Sequence, residues 1–219
     1  MFLFVQSWDI VRGRESEYTD FVLREYLPVM QKIGLPIIGG FHVVIGAGPT
    51  ISAVSTPSDI TGLQRALDSH EFPLITDEFQ KYIVNYGSRL LRNSGRIAEA
   101  PYTVEPGTWR FNQHYTLVPK VEKSYTAFLE REYVPALLDQ GIRVKAEWQG
   151  VIGSGPSRIL LEGVAPRIQD IASALMSDRI AVARNILVTT YGRHYSSRIL
   201  APTGRVEAAF ILKEMTKAL

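Results

Sequence analysis

One stretch of this chain occurs twice, and the duplication restricts the possible folds more than any local motif does. Residues 18–49 return at 125–156 with a constant offset of 107 positions, so that Phe21 matches Phe128 and Pro49 matches Pro156. A repeat of this length is a domain-sized unit rather than one module of a solenoid. The sequence therefore predicts two copies of one folding unit, fused head to tail.

The boundaries of the two copies follow from the match and from local composition. Repeat one is expected over residues 1–97 and repeat two over residues 108–205, joined by a linker at 98–107 that is rich in Glu, Pro and Gly. Pro and Gly at such a density are typical of a short connection between units. The last segment, residues 206–219, has no counterpart in repeat one and is expected to form a C-terminal helix.

Each copy has the same order of predicted elements, β-α-β-β-α-β, which is the ferredoxin-like unit. Strands are indicated by aromatic and β-branched residues over 2–11 and 109–118, and helices by apolar residues at helical spacing over 13–33 and 120–140. One such unit leaves a sheet face bare. The sequence therefore predicts an α+β protein in which two fused ferredoxin-like repeats join their antiparallel sheets into a pseudo-twofold α/β barrel.

A Gly-x-Gly-Pro motif follows the second strand of each repeat, at residues 46–49 and 153–156. Glycine-rich loops that bind phosphate stand at the N-terminus of a helix. Here the motif lies between two predicted strands, which favours a hairpin turn instead.

Composition excludes several classes of function. The chain of 219 residues has no cysteine, which removes disulfides, thiolate metal sites and cysteine nucleophiles, and it suits a cytoplasmic location. The net charge is only +2, without a basic run among aromatic residues, so neither a nucleic-acid partner nor a membrane span is expected. The four histidines lack metal-ligand spacing, and no nucleotide fingerprint is present, so no metal and no cofactor are predicted.

Three short motifs recur in both copies: Gln6-x-Trp8-x-Ile10 with Gln113-x-Tyr115-x-Leu117, a helix that ends in Tyr-hydrophobic-Pro, and the glycines at 34 and 141. With these motifs the chain resembles the NIPSNAP-like proteins of the dimeric α/β-barrel superfamily. The resemblance implies the barrel fold. Such barrels include cofactor-independent monooxygenases, haem enzymes, dehydratases and binding proteins, so it implies no single function. Members often have Arg where this chain has Gln6 and Gln113, and a role of that Arg is not transferred.

Alternation along the strands divides each strand into two faces. In repeat two, Arg110, Asn112, His114 and Thr116 share a face, and Arg143, Lys145, Glu147 and Gln149 share another. The other faces of these strands are apolar, so we assign them to the helices and the polar faces to the barrel interior. The inward faces of repeat one would then carry mainly small and apolar residues, Leu3, Val5, Ser7 and Asp9 with Pro36, Ile38, Gly40, His42 and Val44. One wall would be charged and the other apolar, as in a pocket for an amphipathic small molecule.

Roles follow from the chemistry of these side chains. His114 is the expected acid–base or hydrogen-bonding group, and Arg110 is expected to hold an anionic or carbonyl oxygen, so these two are the candidate catalytic residues. The candidate substrate-binding residues are Asn112, His42, Gln149, Lys145 and Glu147. The alternative is that the polar face is a solvated sheet face or a set of ion pairs between the repeats.

Two further features leave alternatives open. Gln6 and Gln113 interrupt aromatic faces, where each would anchor a neighbouring backbone group or, with the faces reversed, contact a ligand. His194, after Arg193 on the last strand, could reach the barrel rim, with Arg89 as its counterpart in repeat one.

The first functional hypothesis is an enzyme or binding barrel for a small amphipathic molecule. The second is a non-enzymatic interaction protein that forms homo-oligomers through residues 206–219. A lesser alternative is a haem-binding barrel with His114 or His194 as axial ligand.

Overall fold

The alternating aromatic and β-branched segments form eight strands that close into one antiparallel barrel. The structure, a computed structural model, describes residues 1–98, 102–153 and 158–203. The strands are β1 (Phe2–Ile10), β2 (Ile37–Ile45), β3 (Ile51–Ser55), β4 (Ile83–Ala98), β5 (Trp109–Leu117), β6 (Arg143–Gly153), β7 (Ile159–Ala165) and β8 (Gly192–Pro202). Around the barrel their order is β1-β3-β2-β8-β5-β7-β6-β4, and β4 pairs with β1 to close the ring.

The two repeats contribute four neighbouring strands each. Pairing of β2 with β8 and of β4 with β6 joins the two sheets edge to edge. Both free edges of each four-stranded sheet are thereby paired, which removes the unpaired edge strands that an isolated repeat would expose. The prediction of an α+β protein with two fused ferredoxin-like repeats in a pseudo-twofold barrel is confirmed.

Helices cover the outside of the barrel. They are α1 (Glu15–Phe21), α2 (Leu27–Lys32), α3 (Ile60–Leu67), α4 (Glu71–Phe79), α5 (Glu122–Phe128), α6 (Val134–Leu138), α7 (Ile168–Met176) and α8 (Asp178–Ile186). One apolar cluster lies between sheet and helices in each repeat, with Phe4, Trp8 and Phe79 in the first and Phe111, Tyr115 and Phe128 in the second. A third cluster, which includes Phe41 and Trp148, lies inside the barrel.

A π-helical segment connects the two halves of the first long helix in each repeat, Val22–Tyr26 in one and Leu129–Tyr133 in the other. It ends two residues before the proline that the sequence places late in this helix. A proline lacks the N–H donor and crowds the carbonyl four residues earlier, which favours a wider turn just before it. In both repeats the last residue of the π segment is a fully buried tyrosine.

The hairpin between β2 and β3 contains Gly46–Pro49, so the prediction of a turn at this Gly-x-Gly-Pro is confirmed. In repeat two, β6 and β7 are also antiparallel neighbours, but most of their connection lies outside the described residues. The predicted C-terminal helix at 206–219 also lies outside them. No helix in the described part of the chain is long and apolar enough to cross a membrane.

β-Bulges change which residues face inward on two strands. The register shifts between Ile37 and Gly39 in β2 and between Val144 and Ala146 in β6. A bulge adds one residue to one strand, and a shift by one residue moves the following side chains to the opposite face. Phe41 and Trp148 therefore point into the barrel.

Candidate functional site

The inner wall contributed by β5 is polar, as the alternation predicted. Arg110, Asn112 and His114 lie opposite Val164, Glu162 and Leu160 of β7 in register. Leu160 belongs to the apolar cluster inside the barrel, which places this face of β5 inward. At the equivalent positions of repeat one stand Leu3, Val5 and Ser7, and Leu3 belongs to the same inner cluster.

Arg110 of β5 and Glu162 of β7 form an ion pair inside the barrel, and both side chains are almost fully buried. Tyr102 of the linker joins it: its hydroxyl lies 2.9 Å and 3.0 Å from the two carboxylate oxygens of Glu162 and accepts from Arg110 Nη1 at 2.9 Å. Trp148 Nε1 donates to Glu162 at 3.0 Å, and the guanidinium lies 4.2 Å from the centre of the Phe41 ring. Charge-assisted hydrogen bonds of this kind hold a guanidinium in one orientation.

Burial changes the acid–base properties of this group of residues. Burial lowers the pKa of Arg110, which the neighbouring Tyr102 partly offsets, and burial raises the pKa of the Tyr102 phenol. A tyrosine with a raised pKa remains a neutral donor at physiological pH. Tyr102 therefore stays protonated between a cation and an anion.

A small cavity lies next to this ion pair. Its wall includes Leu3, Val5 and Phe41 from repeat one and Arg110 and Asn112 from repeat two, and its volume is about 20 Å³. A cavity needs ~10–15 Å³ to hold one water molecule. The cavity therefore has room for about one water molecule.

Among the described residues, four buried side-chain polar atoms lack a hydrogen-bond partner. Three belong to this wall, Nε and Nη2 of Arg110 and Oδ1 of Asn112, and the fourth is Nε2 of Gln113 on the outer face of β5. A buried polar atom without a hydrogen bond costs ~1–3 kcal/mol, and the great majority have a partner. Two donors and one acceptor beside a cavity are the arrangement that a small polar molecule would satisfy.

His114 lies one inward position beyond Asn112 and is kept neutral by its surroundings. Loss of solvent, followed by the positive charges of Arg198 and Arg89, lowers its pKa to about 3. A neutral imidazole accepts a hydrogen bond or a proton at one ring nitrogen and donates at the other. With this pKa His114 is a weak base, so at neutral pH it is an uncharged group that donates one hydrogen bond and accepts another.

The structure does not bring the other predicted binding residues to this wall. Beyond the bulge in β6, Glu147 faces the helices, where it accepts from Tyr125 at 2.6 Å and pairs with Arg96. Gln149 accepts from Arg92 at the exposed surface. The assignment of these two side chains to the interior was wrong, because the bulge reverses the faces of β6.

Two further predicted residues lie elsewhere. Lys145 is in the bulge itself, and its ammonium donates to Glu105 of the linker at 2.7 Å. His42 lies opposite Ile51 and Ala201, whose side chains belong to the clusters outside the barrel. The expectation that His42 lies on the inward face was wrong for the same reason, a bulge at the start of β2.

The two buried glutamines bond to side chains rather than to the expected backbone groups, and Nε2 of Gln113 has no partner among the described residues. Gln6 Nε2 donates to the hydroxyls of Tyr26 and Tyr86, each at 2.8 Å. Gln113 Oε1 accepts from Tyr133 and, at 2.9 Å, from Tyr195. Both glutamines face the helices and hold the tyrosines that end the π segments.

Sequence reasoning missed four residues of the interior: Tyr102, Trp148, Glu162 and Arg198. Tyr102, Trp148 and Glu162 could not be identified from the sequence. Tyr102 is in the linker, a bulge turns Trp148 inward, and Glu162 stands where repeat one has a valine. Arg198 could have been identified. Tyr86-Gly87-Ser88-Arg89-Leu90-Leu91 returns as Tyr195-Ser196-Ser197-Arg198-Ile199-Leu200, an offset of 109. The counterpart of Arg89 is thus Arg198, and pairing Arg89 with the Arg193–His194 segment was wrong.

The described residues do not fit a haem. Pockets for drug-sized ligands measure ~300–1,000 Å³, against the cavity of about 20 Å³ next to Arg110. His114 faces the packed interior, and His194 is exposed on β8. Among the described residues, no group of three or more His, Asp or Glu side chains is placed to hold a metal ion.

Solved structures with the same fold are numerous, but their sequences are distant. A provisionally assigned monooxygenase of Lactobacillus acidophilus NCFM has a TM-score of 0.60 and 8% identity, with 92% of this chain and 93% of that chain covered. A mutant chlorite dismutase of Candidatus Nitrospira defluvii has a TM-score of 0.60 and 7% identity, covering 97% and 94%. These similarities establish the fold, a closed α/β barrel, and nothing finer.

An uncharacterised NIPSNAP domain protein of Burkholderia xenovorans matches 48% of this chain over its full length, with 13% identity and a TM-score of 0.36. At that score the match carries no weight for function. No protein-family model matches the chain, and no curated protein matches it either.

Proposed function

We propose that this protein is a barrel that binds, and in its active form converts, a small amphipathic molecule inside the closed sheet. The observation that carries the proposal is the set of buried, unpartnered polar atoms of Arg110 and Asn112 around the cavity. Keeping such atoms in a core lowers stability, and they are a common mark of a place where a ligand or water binds.

The chemistry of the wall defines the polar part of the ligand. The two unpartnered nitrogens of Arg110, Nε and Nη2, suit a carbonyl or carboxylate oxygen, and Oδ1 of Asn112 suits a hydroxyl or N–H donor. Glu162 fixes the guanidinium from the other side. His114, neutral at physiological pH, is the group that would exchange a hydrogen bond with the bound molecule.

The apolar part of the ligand would lie against the wall of repeat one. Leu3, Val5 and Phe41 form that side of the cavity. The cavity has room for about one water molecule, so a larger ligand requires these side chains to move. Binding is therefore expected to change the environment of Trp148, which packs in the same inner cluster.

The first test is native mass spectrometry with an absorption spectrum of freshly purified protein. A retained small molecule or pigment would support the proposal and identify the ligand. For a direct test, protein labelled with 5-fluorotryptophan is titrated with acetophenone and with benzoate and followed by fluorine NMR. The resonance of Trp148 is expected to shift, while Trp8 and Trp109, which belong to the outer clusters, remain in place.

A matched pair of variants shows whether the response comes from the polar wall. Asn112→Val copies the residue that repeat one has at this position, and Val5→Ala changes the opposite wall without removing a polar group. Asn112→Val is expected to weaken binding about tenfold, the effect of one lost hydrogen bond. Val5→Ala should leave binding within about threefold. Equal affinity in both variants, or no response of Trp148 to either compound and no retained mass, would reject the proposal.

A second candidate is a non-enzymatic interaction protein, and the small size of the cavity favours it. Two equivalent isoleucines also stand exposed at the ends of the hairpin strands, Ile45 at 56% and Ile152 at 69%. Exposed apolar side chains at one rim suit a contact between copies of the chain. The predicted contact through residues 206–219 lies outside the described residues. The subunit number from native mass spectrometry tests this candidate: Ile152→Glu is expected to convert an oligomer to a monomer.

We propose that this chain is related to the NIPSNAP-like proteins, and this proposal rests on the repeated sequence motifs alone. The supporting residues are the tyrosines before Pro28 and Pro135 and the glycines Gly34 and Gly141 that follow these helices. A sequence-based tree that separated the two repeats from NIPSNAP domains would overturn this placement.

A further inference from the structure

The linker between the two repeats crosses one end of the barrel and places two side chains inside it. It leads from β4 to β5, and in the barrel β6 and β7 lie between these two strands. Residues 102–108 are the described part of the linker next to β5. Tyr102 belongs to the inner apolar cluster, and Val104 packs against it. A Cβ on Gly39 of β2 would lie 2.9 Å and 3.0 Å from the methyl carbons of Val104, so the linker also contacts repeat one.

The phenol of Tyr102 is held inside the barrel in the way that a bound ligand would be. Its hydroxyl donates to Glu162, whose two oxygens lie at 2.9 Å and 3.0 Å, and accepts from Arg110 at 2.9 Å. Its ring meets the Trp148 ring edge to face, with the ring centres 5.1 Å apart. Glu162, Arg110 and Trp148 are on β7, β5 and β6, so they form a phenol site on the strands of the barrel and not on the linker.

The phenol site is selective for a hydroxyl group on an aromatic ring. Glu162 requires a donor and Arg110 requires an acceptor, and one hydroxyl oxygen satisfies both. An ether oxygen at the same place accepts only, so it would face the carboxylate without a proton to share. The Lys145 ammonium lies 5.6 Å from the centre of the Tyr102 ring, a distance at which a cation attracts an aromatic face. The edge-to-face contact with Trp148 adds a second preference for an aromatic ring.

The linker is attached by contacts that can open while every strand keeps its pairing. Residues 102–108 form no helix or strand, and they contain a turn in which Gly107 has a φ of 76°. Glu105 pairs with Arg143 at 2.5 Å and with Lys145 at 2.7 Å, and its side chain is 41% exposed. Water and salt screen an ion pair with an exposed partner. A segment without paired backbone in a sheet or helix opens at a low cost in free energy, so the linker is the part of this end that can withdraw.

We propose that Tyr102 is a built-in occupant of the phenol site, and that a phenolic ligand enters this end of the barrel by displacing the linker. The inference rests on the proposed function and deepens it, because it names the chemical class of the ligand and its path to the interior. The hydroxyl of the ligand replaces the hydroxyl of Tyr102. The rest of the molecule extends along the cavity, where Nε and Nη2 of Arg110 and Oδ1 of Asn112 would bind a second polar group. Without a ligand, Tyr102 keeps the site filled.

The test uses the full chain and two probes that differ in one hydrogen-bond donor, 4-methylphenol and 4-methylanisole, titrated by calorimetry. The unmodified protein is expected to bind 4-methylphenol at least about tenfold more tightly than 4-methylanisole, the effect of one lost hydrogen bond to a carboxylate. Tyr102→Ala removes the occupant and should raise the affinity for 4-methylphenol at least about tenfold, because the ligand no longer competes with a tethered phenol. Equal affinity for the two probes would overturn the inference.

A smaller substitution repeats the test without truncating the side chain. Tyr102→Phe keeps the ring and removes the hydroxyl, so the occupant is held more weakly and the affinity for 4-methylphenol should rise at least about threefold. The control is Tyr82→Phe, which removes a hydroxyl at the outer cluster of repeat one and should leave the affinity within about twofold. An affinity of Tyr102→Phe equal to that of the control would contradict the role of Tyr102 as a competitor.

Hydrogen exchange in the unmodified protein shows whether the linker moves. Saturating 4-methylphenol should increase amide exchange in the peptide that contains residues 102–108. The hairpin at residues 46–50, which is at the other end of the barrel, should exchange as before. A tyrosine that serves stability alone would give neither binding nor faster exchange. Binding to Tyr102→Ala, without binding or faster linker exchange in the unmodified protein, would therefore overturn the inference.

The outcomes separate this inference from the proposed function. Binding of acetophenone or benzoate that depends on Asn112, with no displacement of the linker by 4-methylphenol, would remove the phenol site and leave the proposed function. Binding of 4-methylphenol that displaces the linker and is unchanged in Asn112→Val would keep the phenol site and remove the role proposed for Asn112.

Discussion

The two halves of the barrel share a backbone but differ in what they bury inside it. At equivalent positions, repeat one has Leu3 and Val54 where repeat two has Arg110 and Glu162. Replacement of a buried ion pair by apolar residues is often neutral or stabilising, so the pair of repeat two is weak evidence for stability. The comparison teaches that one half keeps an apolar inner wall while the other carries the groups able to do chemistry.

The outer faces show the opposite behaviour. Gln6 with Tyr26 in repeat one has the same position as Gln113 with Tyr133 in repeat two, and both pairs are buried. Each pair holds the end of a π-helical segment against the sheet. The contacts that any copy of the unit needs to fold are therefore present twice, and the contacts of the candidate site only once.

The largest expected effect comes from removing one member of the inner ion pair. Glu162→Val leaves the buried Arg110 without its partner and should lower the free energy of unfolding by about 3–5 kcal/mol. The double variant Arg110→Leu with Glu162→Val gives repeat two the residues of repeat one. It should recover at least about 2 kcal/mol of that loss, although Tyr102 and Trp148 lose hydrogen-bond partners.

Urea unfolding followed by circular dichroism measures both variants. The control is Asp139→Asn, which breaks the exposed ion pair with Arg179 and should change stability by less than about 1 kcal/mol. A double variant that is less stable than Glu162→Val would mean that the ion pair itself holds the barrel together. The difference between the two walls would then be structural.

The internal repeat allowed much of the fold to be predicted, because every element could be compared with its copy. Closure followed from physics: each sheet needs its bare face covered, and the chain contains a second sheet. The inward and outward side chains could be assigned correctly on β1 and β5, because they alternate regularly along the part of each strand that lines the cavity. They could not be assigned on β2 and β6, which contain bulges. A bulge depends on how two strands meet and leaves no mark in one strand's alternation, so Trp148 and Glu147 were exchanged.

The candidate site was predictable only where it lies on β5. Arg110, Asn112 and His114 were identified from one strand, whereas Glu162, Tyr102 and Arg198 come from three other segments. Tertiary packing decides which of many polar residues meet. The equivalence of Arg198 with Arg89 could have been found from the second repeated motif, which has an offset of 109 instead of 107 because the intervening segments differ in length.

A smaller effect is expected from the tyrosines of the outer faces, and it tests whether the halves are equivalent there. Tyr26→Phe removes two hydrogen bonds with the buried Gln6, and Tyr133→Phe removes one to the buried Gln113. Each variant should cost about 1–2 kcal/mol of unfolding free energy. The control is Tyr82→Phe, whose hydroxyl makes no hydrogen bond in the described structure. Losses that differ by more than about 1 kcal/mol would show that the outer faces have diverged as well.

The smallest expected effect is the pH dependence that His114 adds to repeat two, where repeat one has Ser7. Its pKa is about 3 in the folded protein and 6.5 ordinarily, so the unfolded chain takes up a proton as the pH falls below 6.5 and the folded protein does not. The stabilisation that His114 contributes is therefore present above pH 6.5 and is lost progressively toward pH 3, with about 0.7 kcal/mol of unfolding free energy lost between pH 7 and pH 6.

The variant His114→Ser, measured by urea unfolding at pH 7 and pH 6, should lack this change in unfolding free energy. Because the other three histidines are present in both proteins, they cancel in the difference. Equal slopes would mean that His114 is solvated and charged like an ordinary surface histidine, and that the two walls differ less than their sequences indicate.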